Sequence, residues 1–147
     1  MSLPLNQPVR LAILSQPSHL RVVRSALEKM CELAGFDNAQ TGRIVLSVDE
    51  ALSNIVRHAY EGAADGRIEI ELTPHGQQTV QGLRISLRDY GRHADPADIH
   101  SRELTDVRPG GLGVHIISQC MDCVQYHKAD GGGTLLVMEK RCANSEP

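Results

Sequence analysis

The sequence predicts a single α/β (α+β) domain, and three observations lead to that prediction. Two long stretches, one following Pro17 and one from Arg43 to Tyr60, space their apolar residues three and four apart, the period of a helix with one buried stripe. Five shorter stretches read as strands, three of them with clear alternation of apolar residues. No repeat, low-complexity tract or linker interrupts the 147 residues, a length that buries about two-thirds of the surface its unfolded chain exposes.

Composition narrows the function classes. With 41% apolar and 22% charged residues the chain is an ordinary globular sequence, but 3% aromatic content without Trp requires an aliphatic core. A formal charge of -3 gives no electrostatic reason to bind nucleic acid or an anionic membrane. No apolar run reaches the roughly 18 residues of a membrane span and the start lacks a secretory pattern, so a cytoplasmic protein is expected. Cys31, Cys120, Cys123 and Cys142 are too few and too irregular for a disulfide framework, and the CxxC at 120–123 is expected to be ordinary helix-packing cysteines.

The elements follow in order. Val9 to Leu14 alternates as a half-buried strand. Ser18 is the expected N-cap of a helix carrying Leu20, Val23, Leu27, Met30, Cys31 and Ala34 on one stripe and ending at Gly35. Asp37 or Asn38 should cap the second helix, in which Ile44, Val48, Leu52, Ile55, Val56 and Ala59 form the buried stripe. Arg67 to Leu72 and Leu83 to Asp89, separated by a polar turn around Pro74 to Gly76, should pair as an antiparallel hairpin. Arg92 to Arg108 is long and without period, as lids are. A glycine-rich turn then opens a helix bearing Val114, Ile117 and Met121, and Cys123 to Lys128 and Thr134 to Lys140 close the domain as two strands around ADGGG, ahead of a polar tail.

Several polar residues sit where packing alone would not put them. Glu50, Asn54 and His58 fall four apart and so stack on one face of the second helix. The period of two places Asp89 on the apolar face of its strand, where a bare carboxylate costs several kcal/mol and must find a partner. The N–H groups at Gly111 to Gly113, in the turn Gly110, Gly111, Leu112 and Gly113, can point at an anion, aided by the helix dipole. A nucleotide accounts for the whole set. Asp89 would accept from an adenine amino group, Gly91 would let backbone approach the base, and Thr134 opens a late strand. Asn54 offers the neutral oxygen that suits magnesium, which takes few protein ligands beside substrate phosphates. Glu50, one turn earlier, is the natural group to orient or deprotonate an attacking hydroxyl. P-loop, HRD, DFG and dinucleotide signatures are absent.

EALSNIVRHAY, RDYGRHADP, RPGGLGVHIISQCMD and GGTLLVMEK resemble, in order and spacing, the N, G1, G2 and last-strand motifs of the GHKL ATPase and kinase superfamily. Within it the chain, over roughly residues 9–140, is similar to the anti-sigma-factor serine/threonine kinases of bacterial partner-switching systems. The resemblance implies a two-layer sandwich, with helices on one face of a mixed, mostly antiparallel sheet, in the Bergerat ATP-binding fold. It implies ATP and Mg2+ as ligands, Glu50 as general base and Asn54 as magnesium ligand. Asp89, Gly91 and Thr134 would lie on the adenine side, and Gly110, Gly111, Leu112 and Gly113 around the phosphates. Arg108 would touch phosphate or the protein partner. It further implies a homodimer that binds a sigma factor or similar regulator and phosphorylates a serine on a STAS-type antagonist. His93 and Ala94 depart from the Pro-Phe often found before Asp-Pro in relatives. That departure favours, as an alternative, a sequestering module that uses ATP only as a conformational ligand or not at all. A histidine-kinase catalytic domain is the third and least expected reading, because such a domain is expected to follow a dimerisation helix with a phospho-accepting His and residues 1–8 do not read as one.

Overall fold

A computed structural model describes residues 2–91 and 111–143. Strand β1 (Val9–Leu14) leads into helices α1 (Pro17–Ala34) and α2 (Asn38–Asn54), and α2 continues as a π-helical turn, Ile55–Ala59. Strands β2 (Arg67–His75) and β3 (Gly82–Asp89) follow, then α3 (Gly111–Cys120), β4 (Cys123–Lys128) and β5 (Thr134–Arg141).

The five strands form one sheet in the order β1-β2-β3-β5-β4. The mostly antiparallel sheet expected is antiparallel at all four pairings. Helices α1 and α2 pack side by side, as do α2 and α3, with α1 against β1, β2 and β3 and α3 against β4. Alternation assigns the two faces. Ile68, Ile70, Leu72, Leu83, Ile85, Leu87, Leu136 and Met138 turn inward and are fully or almost fully buried against Val23, Leu27, Ile44, Val48, Leu52 and Ile117. The core is aliphatic, as the composition requires, and each such side chain contributes about 1.5–3 kcal/mol by leaving water. The outer face is wet. There Arg10 pairs with Glu71 at 2.8 Å and Arg84 with Glu139 at 2.7 Å, each directly across the ladder. Exposed pairs of this kind contribute only about 0–1 kcal/mol each.

Local chemistry sets the helix ends, in two places differently from expectation. Helix α1 starts at Pro17, and Gln16 rather than Ser18 occupies the cap with extended backbone and no side-chain cap bond. Proline's fixed φ suits the first helical position, where its missing N–H costs nothing, so the helix begins one residue before the serine. Its end is as expected, with Gly35 left-handed at φ 89°. Helix α2 begins at Asn38, five residues before Arg43, with Asp37 Oδ1 accepting from Gln40 N at 2.7 Å. The uninterrupted period expected through Tyr60 fails after Asn54. There the ladder widens, so that Tyr60 N donates to Ile55 O at 3.1 Å and Gly62 N to Val56 O at 2.8 Å. His58 falls inside this widened turn and is exposed. Cys120 ends α3 and Cys123 begins β4 exposed, so the pair flanks a chain corner rather than packing one helix.

Two buried protons make the fold sensitive to alkali. Burial pushes the Cys31 thiol from 9.0 up to about 12 and the Tyr126 hydroxyl from 10.0 up to about 12. The folded chain therefore holds protons that the unfolded chain releases first, and stability falls as pH rises wherever the native state binds more protons. Urea midpoints are expected to be level below about pH 9 and to fall progressively toward pH 12. Tyr126→Phe should flatten the upper part of that decline, and a midpoint that stays level to pH 11 would remove the basis for it.

Candidate adenine-nucleotide site

The site starts at the inner end of β3. The strand's alternation carries Asp89 to the same side as Leu83, Ile85 and Leu87, and its residue is only 2% exposed. Asp89 Oδ1 accepts from Gly91 N at 3.1 Å, which holds the carboxylate in the turn that follows the strand. On the neighbouring strand the register Leu87↔Leu136, Arg88↔Leu135, continued one step, sets Thr134 opposite Asp89. Thr134 is itself 4% exposed. Two polar side chains thus share an otherwise apolar face at the mouth of the sheet.

Two glycines bring the surrounding backbone in. A Cβ on Gly91 would stand 2.2 Å from Ala59 O, so the turn after Asp89 lies directly on the last residue of the π-helical turn. A Cβ on Gly133, at φ 79°, would stand 2.0 Å from Asp89 O, so the β4–β5 turn closes on the same strand end from the other side. Any side chain at either place would wedge the two elements apart.

Contact with Ala59 joins the strand end to α2. Asn54 is the last residue of α2, five before Ala59, and Glu50 lies one turn earlier; both are partly exposed. Asn54 Oδ1 accepts from Arg57 Nη2 at 3.0 Å, and Arg57 Nε also reaches Ser53 O at 3.4 Å. The amide oxygen is thereby turned to a cation already, a guanidinium that a metal ion would have to displace. Helix α3 packs along α2, and the backbone of Gly111, Leu112 and Gly113 forms its first turn. The N–H groups of a first turn have no intrahelical acceptor. Arg108 and Gly110, with the expected lid from Arg92 to Arg108, lie outside the described residues.

Tyr60, Arg57 and Gly133 were not singled out by spacing. Tyr60 OH donates to Arg67 O and accepts from Tyr90 N at 2.8 Å. Burial raises its pKa, the Tyr90 N–H works against that rise, and the nearby Asp89 charge adds to it. The Tyr90 ring turns to the outer face, with the Arg88 guanidinium 4.3 Å and that of Arg67 5.3 Å from its centroid. A run of three glycines at 131–133, all at positive φ, was the available signal for the close approach at Gly133.

The set suits an adenine nucleotide chemically. A buried carboxylate and a hydroxyl offer polar atoms to a base, Gly91 and Gly133 let the surrounding backbone close on the strand end that carries them, and helix-start N–H groups and an amide oxygen are the kinds of group that suit magnesium-bound phosphates. Residues 13–140 match the family described as the histidine kinase-like ATPase domain. The serine-protein kinase RsbW of Listeria monocytogenes is 25% identical over 132 residues, covering 86% of this chain and 83% of that one. The anti-sigma F factor of Priestia megaterium is 30% identical over 103 residues, covering 67% and 68%. The crystal structure of the RsbU and RsbW domains of Rv1364c from Mycobacterium tuberculosis superposes with a TM-score of 0.65 at 20% identity, covering 92% of this chain and 32% of that one. The fold, the ordered motifs and the match over residues 13–140 together place the chain in the histidine kinase-like ATPase domain family, within the GHKL superfamily.

Proposed function

We propose that this chain is an ATP-dependent serine/threonine protein kinase that holds a sigma factor or a similar regulator and phosphorylates a serine on a STAS-type antagonist. It would do so as a homodimer in the bacterial cytoplasm. The observation that supports the reading best is the seat of Gly91 on Ala59, which places the strand end carrying Asp89 against the helix that carries Glu50 and Asn54. The names of the relatives, kinases and an anti-sigma factor, favour the same activity.

In this reading Asp89 and Thr134 receive the base, and Gly91 and Gly133 keep the backbone close around it. The N–H groups of the first turn of α3 would meet the phosphates. Asn54 would hold Mg2+, which supplies charge neutralisation on the phosphate oxygens. Glu50, exposed enough to meet an incoming protein, aligns the serine hydroxyl and accepts its proton. Phosphoryl transfer needs little else, because positioning and charge neutralisation provide most of the acceleration.

The test is incubation with labelled ATP, magnesium and a purified STAS-type antagonist. Label on an antagonist serine supports the kinase; saturable binding without transfer supports the sequestering module; label on histidine supports the third reading. In the same system Asn54→Ala should weaken magnesium-dependent ATP binding by about ten- to a hundredfold, the usual loss when one contact to a charged group goes. Equal titration curves for the two proteins would show that the amide does not hold the metal.

A further inference from the structure

Tyr60 places its hydroxyl between the backbones of β2 and the residue after β3. The β2–β3 register runs Leu72↔Ile85, Ile70↔Leu87, Ile68↔Asp89, and its next pair would be Arg67 with Tyr90. That pair does not bond directly. The Tyr60 hydroxyl stands between them, accepting from Tyr90 N at 2.8 Å and donating to Arg67 O. It replaces a backbone rung with a relay one oxygen wide, and so sets the strand separation immediately beside Asp89. The ring is seated by a missing side chain, since a Cβ on Gly66 would lie 2.3 Å from Tyr60 Cγ and Cδ2. The chain on either side is tied as well: Ala59 supports Gly91, and Gly66 exchanges hydrogen bonds with Ser15, from Ser15 N at 2.7 Å and to Ser15 Oγ at 2.9 Å.

We infer that Tyr60 is a positioning residue for base selection. By spacing residues 89–91 from β2 it aims the Asp89 carboxylate, and so sets the preference for a purine that presents an amino group at its six-position over one that presents a carbonyl. The inference rests on the nucleotide reading above. An amino group donates to the carboxylate, whereas a carbonyl in its place sets two acceptors against each other, and a site built for a hydrogen bond rejects the analogue without it. That rejection depends on where the carboxylate points. Without the hydroxyl, Tyr90 N must either close onto Arg67 O or lose its acceptor, and both move the turn that holds Asp89.

The test is titration of wild type, Tyr60→Phe and Gly66→Ala with Mg-ATP, Mg-GTP and magnesium tripolyphosphate. Gly66→Ala displaces the ring without altering it, and serves also if Tyr60→Phe folds poorly. The preference for ATP over GTP is expected to fall about tenfold in both variants, with tripolyphosphate binding unchanged. An unchanged preference, or ATP, GTP and tripolyphosphate all weakening equally, would overturn the inference and leave Tyr60 a structural residue. Wild type that binds none of the three would instead remove the nucleotide reading itself.

Discussion

Glu50→Gln is expected to bind Mg-ATP as the wild type does and to phosphorylate the antagonist about 10²–10⁴-fold more slowly, the usual contribution of a positioned acid-base group. The substitution keeps the shape and removes only the proton acceptor. Glu50 lies on α2 one turn before Asn54, partly exposed, and is not among the buried residues of that helix. Loss of fold is therefore not expected, and a thermal melt run beside the assay checks that point. Single-turnover phosphorylation with saturating ATP is the decisive measurement, because it removes nucleotide binding from the rate. Transfer at the wild-type rate would take the role of base away from Glu50 and leave positioning alone to account for the chemistry.

The second large effect is expected at Asp89. Asp89→Asn retains an oxygen for the Gly91 N–H, the 3.1 Å bond that shapes the turn. It exchanges a charged acceptor for a neutral amide that carries two donors of its own. A hydrogen bond to a charged group is worth about 1.5–3 kcal/mol, so ATP affinity should fall about ten- to 150-fold. Burying a neutral amide in place of a carboxylate also removes a desolvation cost, and the melting temperature is expected to hold. Calorimetric titration of the two proteins with Mg-ATP measures the loss; equal affinities would place the base elsewhere than the inner end of β3.

Much of this could be read before any coordinates. The periods of three to four and of two located the helices and strands to within a few residues, Gly35 and Asp37 marked the boundary between α1 and α2, and alternation put Asp89 on the buried face. Those features depend on residues near one another in the chain, where side-chain spacing and local hydrogen bonding leave few choices. The first helical residue was less legible, because Pro17 and Ser18 both signal a start and the proline's rigid ring prevailed.

What the order of residues determined by itself is the inventory: an aliphatic α+β domain, a carboxylate turned inward at a strand end, and an amide and a glutamate one turn apart on a helix. Tertiary structure alone decided how that inventory meets. The widened turn after Asn54, the seats of Gly91 on Ala59 and of Gly133 on Asp89, and the Tyr60 hydroxyl between Arg67 and Tyr90 join residues from 5 to 44 positions apart. The physical reason is that a hydrogen bond or a missing Cβ acts over a few ångströms of space, and only the packed sheet and helices bring such distant residues within that range.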